Sequence, residues 1–271
     1  MSSRLFAASL AVLAGAAATS AQTIIVSPNS RATVEGSTSS AAPFADPDCS
    51  RYQQVYGQGS LSSLVGKSIT HIAFRLDGAL GAYAGGFVYP QLHITMATSN
   101  FPPDQLSTDM QTNVGPNARV VYNGAYTLPS LGASPTPHPF DMVIQLQTPF
   151  PYTGGALLID VSGPIGPSSP FALDAESVAG DAISRVYSNL AAQVTADTKG
   201  LITRITASGP CYPNCDGSTE PPLLNINDFL CFQQRFSAGD TWANCDESTA
   251  APVLNINDFQ CFLNRFSAGC V

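Results

Sequence analysis

Residues 224–239 read LNINDFLCFQQRFSAG, and residues 254–269 read LNINDFQCFLNRFSAG. The stretches ahead of them also repeat, as NCDGST at 214–219 and NCDEST at 244–249. Matched residues lie thirty positions apart, and such a repeat indicates one structural unit built twice. The duplication predicts a small helical domain over residues 211–271, called the tail below, in which each of two equivalent units is a polar loop followed by a helix.

The second half of each unit carries phenylalanines at helical spacing. Phe229, Phe232 and Phe236 fall at positions i, i+3 and i+7, and the second copy repeats them thirty residues later. This spacing places them in one apolar stripe along a helix. Two such helices can bury their stripes only against each other, so we expect a pseudo-twofold arrangement.

The ends of the two helices are also marked in the sequence. Asn227 and Asn257 are expected to cap the helix starts, and Gly239 and Gly269 to follow the helix ends. The positions predicted to stay exposed, and therefore available to a partner, are Gln233, Gln234, Gln260, Asn264 and Arg265.

The polar loops carry alternating oxygen-bearing side chains of the kind that calcium prefers. A hard cation takes about six to eight oxygen ligands, which a calcium-binding loop supplies from alternating positions. Both loops are three residues longer than the usual loop of about twelve residues. The candidate ligands are Asn214, Asp216, Ser218, Asn225 and Asp228, and in the second copy Asn244, Asp246, Ser248, Asn255 and Asp258. A second interpretation is that a disulfide holds each loop, and its Asn and Asp side chains cap turns and helices.

Six of the seven cysteines lie in the tail, which is too short to bury a large core and needs cross-links. Four of them recur thirty residues apart, and the other two stand near the tail's ends. The expected disulfides are Cys215–Cys231 and Cys245–Cys261 within the copies and Cys211–Cys270 between the ends; the crossed pairing, Cys215–Cys261 with Cys231–Cys245, is equally symmetric. Cys49 is interpreted as a free thiol. Cysteine use of this kind is typical of an oxidising compartment.

The N-terminal segment indicates export. Met1–Ala21 has an early arginine, an apolar Ala-rich stretch and small residues before Gln22, as in a secretory signal peptide. No later segment approaches the ~20 apolar residues that a membrane span needs. We therefore expect a secreted protein, extracellular or at the cell surface. The formal net charge is −8 and no basic cluster occurs, which argues against a nucleic-acid partner.

Residues 22–208 show short runs of alternating apolar and polar residues between Gly- and Pro-rich turns, which predicts a mainly β fold, an antiparallel β-sandwich or jelly roll. In Ser68–Leu76, for example, Ile72 and Phe74 face one side while Ala73 and Arg75 face the other. A weak helix is expected near Ser188–Thr195. The other expected strands are Arg51–Tyr56, Gln91–Ala97, Arg119–Tyr122, Phe140–Leu146, Ala156–Val161, Ile183–Tyr187 and Leu201–Ala207.

This sandwich shows no catalytic sequence motif. Its three histidines, His71, His93 and His138, lack the spacing of metal ligands, and no nucleophile elbow, phosphate loop or dinucleotide fingerprint occurs. A glycosidase would need two facing carboxylates. The candidates for such a pair are Asp141 and Asp160, which we interpret as single solvated acids on strands, and Asp174 and Glu176, which are expected in a loop; no catalytic role is expected for them.

The tail resembles a dockerin. Two repeats of N-x-D-x-S…L-N-x-N-D-F, with C-F inside each helix and Gly269-Cys270 at the end, are similar to the Cys-rich variant called the GC-type dockerin. The resemblance covers residues 211–271 and implies a calcium-stabilised module that docks to a cohesin-like receptor or anchors the protein to a surface. The loops depart from ordinary dockerins in their length, their cysteines and their fewer aspartates.

Two function classes follow. In the first, the protein is a secreted, non-catalytic β-sandwich for binding or structure, attached to a surface or complex through its calcium-binding tail. In the second, it is a carbohydrate-active enzyme delivered by the same tail, because the resemblance implies that dockerins often accompany polysaccharide-degrading enzymes. A carbohydrate ligand suits either class. Two close carboxylates in an aromatic-flanked cleft would favour the enzyme, and scattered acids would favour the binding protein.

Overall fold

The computed structural model describes residues 22–163, 171–209, 211–218 and 222–269. The expected signal peptide, Met1–Ala21, lies outside these residues. The described strands are β1 (Thr23–Ser27), β2 (Thr38–Ser40), β3 (Cys49–Tyr56), β4 (Lys67–Phe74), β5 (Val88–Thr98), β6 (Arg119–Thr127), β7 (Met142–Tyr152), β8 (Leu157–Ser162), β9 (Leu173–Ser177), β10 (Ile183–Asn189), β11 (Val194–Asp197), β12 (Lys199–Leu201) and β13 (Thr203–Ser208).

The strands pair antiparallel throughout the described residues. One sheet has the order β1-β13-β4-β7, a second has the order β11-β10-β3-β8-β5-β6, and a small third sheet is β12-β9-β2. The two larger sheets share one hydrophobic core, to which β4 contributes Ile72 and β5 contributes Ile94, both fully buried. Tyr56 on β3 also shares a buried hydrogen bond of 2.8 Å with Thr203 on β13. The predicted mainly β fold, an antiparallel sandwich followed by a small helical region, is confirmed.

The helix expected near Ser188–Thr195 is wrong. Strand β10 runs through Asn189 and the chain returns as β11, so that Ser188 pairs with Val194. The turn between them places Ala192 at a φ of 59°. The hairpin forms because β10 is already held in the sheet by β3 on its other side. The free edge of β10 offers hydrogen-bond partners to the returning chain. This tertiary pairing overrides the weak local helix preference.

The predicted alternation of inward and outward side chains also fails just after β4, at Arg75. Arg75, expected to point outward, is only 1% exposed. Its Nε lies 2.7 Å from Asp174 Oδ2 on β9, and its guanidinium carbon lies 5.0 Å from the centre of the Phe140 ring. The backbone carbonyls of Arg31 and Val34 accept hydrogen bonds from the same guanidinium. Additional chain therefore covers both faces at this point, which the period-two pattern cannot indicate.

The tail contains two helices, α1 (Ile226–Ser237) and α2 (Ile256–Ala268). Phe232 of α1 and Phe262 of α2 are fully buried, and their rings stack with centres 4.2 Å apart. The other phenylalanines of both stripes pack around this pair, which confirms the predicted packing of one apolar stripe against the other.

Two aromatic residues at the starts of the copies extend this core. Tyr212 and Trp242 stack with ring centres 4.5 Å apart. Arg235 of the first copy lies over Trp242 of the second at 4.8 Å, and Arg265 of the second copy lies over Tyr212 of the first at 4.9 Å. Each copy therefore places an arginine on the other's aromatic ring. The expectation that Arg265 is an exposed contact residue is wrong, because this stacking half-buries it.

The strands belong to one compact unit, and both helices belong to a second unit that begins at Cys211. Each unit has a hydrophobic core of its own. Within the described ranges, no helix combines the length and the apolar character needed to cross a membrane.

Candidate functional site

The first loop of the tail is joined to its helix by the carboxylate of Asp228. This side chain is fully buried. Its Oδ1 accepts a hydrogen bond of 3.2 Å from the backbone N–H of Asp216, near the start of the loop, and its Oδ2 accepts one of 2.8 Å from the N–H of Asn225. A buried carboxylate is stable only when its oxygens are satisfied. These two N–H groups provide that stabilisation and fix the shape of the loop.

The remaining polar side chains of this loop bond to one another. Asn214 donates from Nδ2 to the carbonyl of Ser218 at 2.7 Å, and the hydroxyl of Ser218 donates to the carbonyl of Leu223 at 3.1 Å. The N–H of Ser218 donates to Oδ1 of Asp216 at 2.8 Å. This hydrogen bond stabilises the charged carboxylate and lowers the pKa of Asp216. The loop is thus closed by side chains that the sequence identifies and by a backbone carbonyl, at Leu223, that no side-chain pattern indicates.

The second loop repeats these contacts at the equivalent residues. Asp258 is fully buried and accepts hydrogen bonds from the N–H groups of Asp246 and Asn255, at 3.3 Å and 2.7 Å. Asn244 donates to the carbonyl of Ser248 at 2.9 Å, and Ser248 donates to the carbonyl of Val253 at 2.9 Å. The loops therefore share a conformation as well as a sequence.

The helix caps differ from the prediction. Asn225, rather than Asn227, precedes the first turn of α1, and its side chain accepts a hydrogen bond of 2.8 Å from the N–H of Asn227. Together with the bond from Asn225 N–H to Asp228, this forms a capping box. Asn255 and Asp258 form the same box at α2. Asn225 and Asn255 thus have the capping role of the second interpretation. At the helix ends, Gly239 and Gly269 have positive φ values of 72° and 81°.

Disulfides join Cys215 to Cys231 and Cys245 to Cys261. The within-copy pairing is therefore confirmed, and the crossed pairing is wrong. Cys211 is also disulfide-bonded, while its expected partner, Cys270, lies outside the described residues. Cys49 is a free, buried thiol, as predicted. Each within-copy disulfide links the residue after the loop's first asparagine to the middle of the helix, which fastens the loop to the helix covalently.

The loop side chains fit a hard cation in their chemistry. Asn214, Asp216, Ser218 and Asp228 supply amide, hydroxyl and carboxylate oxygens, the ligand types that calcium prefers, and they are connected by the hydrogen bonds described above. Asn225 is committed to the helix cap. In the described part of the tail, every buried side-chain nitrogen and oxygen has a hydrogen-bond partner. The loops can therefore offer ligands to a cation, but they leave no buried oxygen dependent on one.

No known family, curated protein or solved structure matches this chain.

The four acids considered as a catalytic pair have other contacts. Asp160 lies 2.5 Å from Arg51, and Glu176 lies 2.5 Å from Arg31. Asp174 pairs with Arg75, and Asp141 accepts a hydrogen bond of 2.9 Å from the N–H of Gly132. Asp174 and Glu176 lie two residues apart on β9, while Asp160 lies on β8 and Asp141 lies just before β7, and each of the four makes contacts that hold the sandwich together.

Glu35, Asp77 and Asp174 bring one oxygen each to within 4.8 Å of one another. Asp174 is 1% exposed, and its burial raises its pKa to about 6 against the opposing effect of Arg75. Oε2 of Glu35 accepts a hydrogen bond of 3.0 Å from the N–H of Gly78, while its Oε1 is buried without a partner. No sequence motif indicates this cluster, because its members are far apart along the chain.

Two grooves on the sandwich are lined mainly by polar side chains. One, of about 410 Å³, lies between residues 108–111 and the β10–β11 hairpin, and Arg51 forms part of its floor. The other, of about 190 Å³, is lined by Asp104, Ser184, Arg185 and Asp197 among others. Neither groove contains an aromatic side chain in its lining, so the aromatic-flanked carboxylate cleft that would favour an enzyme is not seen at either one.

The outer faces of the two tail helices are apolar in part. Ile226 and Leu230 on α1 are 66% and 47% exposed, and Ile256 and Leu263 on α2 are 76% and 46% exposed. Four polar residues beside them are exposed, as predicted: Gln233, Gln234, Gln260 and Asn264. Ile226 and Ile256 are equivalent in the two copies, whereas Leu230 and Leu263 correspond to Gln260 and Gln233, so the two faces share one exposed isoleucine and differ in their other apolar residue.

Proposed function

We propose that the tail is an attachment module of the GC-type dockerin kind and that it carries an exported, non-catalytic β-sandwich used for binding or structure. The observation that carries this proposal is the repeated exposed helix face with Ile226 and Ile256 on it. Each of these isoleucines has a second exposed leucine on the same helix, Leu230 or Leu263, and neighbouring exposed apolar side chains favour a surface that a partner covers. A receptor of the cohesin-like type, or another surface anchor, would cover them.

Calcium is part of this proposal. Asn214, Asp216, Ser218 and Asp228, with their equivalents in the second copy, would hold the ion, and the ion would add positive charge between carboxylates. Asn225 and Asn255 would contribute through the helix caps. Since binding to the folded state alone stabilises a protein by mass action, calcium is expected to raise the unfolding temperature of the tail. Calorimetric titration that gave no heat and no such rise up to millimolar calcium would remove the ion from the proposal.

The non-catalytic role of the sandwich rests on how its acids are used. Asp160, Asp174 and Glu176 are each paired with an arginine. A general acid and a nucleophile need two carboxylates at a fixed separation on either side of a substrate bond. Asp160 lies on β8 and the other two lie on β9, and each is engaged in its own ion pair, which supports a role in the fold rather than in catalysis.

Attachment is tested by fusing residues 211–271 to an inert secreted reporter and measuring its retention on the producing cell. The reporter is expected to be retained, and the double variant Asp228→Asn with Asp258→Asn to be released. Glu247→Gln is the matched control, because Glu247 is an exposed acid of the same loop. Retention of residues 22–210 without the tail would show that the sandwich, and not the tail, attaches the protein. Glycan cleavage by that fragment would favour the alternative, a dockerin-borne carbohydrate-active enzyme.

A further inference from the structure

The contacts that close each tail loop come from the protein itself. Asp228 binds the N–H groups of Asp216 and Asn225, so that a buried anion joins the start of the loop to the start of α1. In the described part of the tail no buried side-chain oxygen lacks a partner, so the buried carboxylates Asp228 and Asp258 are satisfied by donors of the protein itself.

The disulfide joins the same two segments a second time. Cys215 precedes Asp216, and Cys231 lies one helical turn after Asp228. The Cys215–Cys231 bond is thus adjacent to the hydrogen bond between Asp216 and Asp228. A metal ion in a helix-flanked loop normally links these segments. Here a covalent bond provides that link, and Cys245–Cys261 provides it in the second copy.

Apart from a further disulfide at Cys211, the tail has little else to hold it together. Its two helices span 12 and 13 residues, a length at which an isolated helix is marginal in water. Its core is a small aromatic cluster around Phe232 and Phe262, and domains of about this size usually need covalent or metal cross-links. Loss of the cross-links would therefore unfold the tail.

We propose that the tail is a redox-controlled module: its disulfides hold it folded without calcium, and reduction rather than chelation unfolds it. Each disulfide takes two electrons and two protons from a dithiol, which becomes a disulfide itself, and leaves two cysteine thiols. Calcium bound by the loops adds stability to a tail that is already folded. This inference concerns the folding of the tail and holds whether or not the tail docks to a receptor.

The full-length chain can be tested directly, because Trp242 is its single tryptophan and lies in the tail core against Tyr212. Tryptophan emission is measured with and without EGTA and with and without dithiothreitol. EGTA alone is expected to leave the emission maximum unchanged, and EGTA with dithiothreitol to shift it to the red. A red shift in EGTA alone, or no shift with both reagents, would overturn the proposal.

Variants separate these disulfides from the other cysteines. A chain with Cys215, Cys231, Cys245 and Cys261 all replaced by alanine is expected to show the red-shifted emission in EGTA without any reductant. Cys49→Ala is the matched control, because this buried thiol belongs to the sandwich, and it is expected to leave the Trp242 emission unchanged. If the quadruple variant keeps the wild-type emission in EGTA, the disulfides do not hold the tail and the proposal is wrong. Receptor binding enters neither readout, so failure of the docking proposal would be seen separately.

Discussion

At the scale of single residues, Asp228 and Arg75 show what a sequence pattern does and does not reveal. The repeat marks Asp228 as important, and it is buried, but its carboxylate binds two backbone N–H groups. Arg75 follows an alternating run that places it outward, yet it pairs with Asp174 inside the sandwich. In both cases the partner is distant in sequence or belongs to the backbone, so local periodicity cannot identify it.

Asp181 predicts a pH dependence of the sandwich's stability. Burial raises its pKa to about 6 from the ordinary 3.8, and its Oδ2 has no hydrogen-bond partner. The folded state therefore takes up a proton between about pH 6 and 4 that the unfolded state does not, so the free energy of unfolding rises as pH falls through this range. Asp181→Asn is expected to flatten that rise and to raise the melting temperature at pH 7.

Thermal unfolding between pH 4 and 8 measures this effect. Asp109→Asn is the control, because Asp109 is an exposed acid in a surface loop of the same unit. An unchanged slope in the Asp181 variant would show that its carboxyl group is ionised equally in both states.

The two copies also offer a matched pair of backbone substitutions. Gly217 and its equivalent Glu247 both have positive φ, at 68° and 55°, a conformation that costs a residue with a side chain about 1 kcal/mol or more. Nothing lies within 4 Å of a Cβ placed on Gly217, so Gly217→Ala is expected to destabilise the tail by about 1 kcal/mol through backbone strain alone. Glu247→Gly should stabilise it. Urea unfolding followed by Trp242 fluorescence would contradict this if both changes had the same sign.

At the scale of elements, sequence reasoning predicted the tail helices and most sandwich strands, because each has a clear periodicity. It misplaced the helix start by two residues: Asn227 satisfies the usual preference, but Asn225 forms the capping box with Asp228. It also missed β11 and the small sheet of β2, β9 and β12, whose short strands depend on their neighbours for hydrogen bonds. Short elements of this kind are determined by tertiary pairing, which local sequence does not contain.

The capping box gives a prediction with an internal control. Asn225→Ala removes a side-chain acceptor at the helix start and is expected to lower the free energy of unfolding of the tail by about 1 kcal/mol. Asn227→Ala, two residues later on an exposed position, should have little effect. Trp242 fluorescence in urea measures both, and an equal loss for the two variants would argue against the observed cap.

At the scale of the whole molecule, composition and cysteine spacing predicted the division into a strand-rich part and a cross-linked helical part. The repeat limited the four recurring cysteines to two symmetric pairings, and the structure selects the within-copy one, Cys215–Cys231 with Cys245–Cys261. The candidate ligand set stays a prediction. Asn225 stands at the spacing of a calcium ligand, and in the structure it caps a helix. Because asparagine can do either, spacing alone cannot decide which role it has.

A disulfide is expected to join the two ends of the tail. Cys211 is disulfide-bonded, and Cys49 is a buried free thiol in the sandwich. Peptide mapping of the unreduced protein is therefore expected to recover Cys211 linked to Cys270, a bond that closes a loop of about 60 residues and is worth on the order of 4 kcal/mol in the chain-entropy model. A peptide that links Cys211 or Cys270 to Cys49 would refute this assignment.

The exchange of arginines between the two copies has a consequence for the origin of the tail. Arg235 stacks on Trp242 and Arg265 on Tyr212, so each repeat completes its own core with a residue from the other. A lone ancestral repeat would have lacked both of these contacts and could recover them only by associating with an identical chain. The same contacts, made between two such chains, would form a symmetric dimer with a self-complementary interface. Gene duplication and fusion would then have joined the two subunits. After fusion the equivalent positions could diverge, as Gln233 and Leu263 have done, and likewise Leu230 and Gln260.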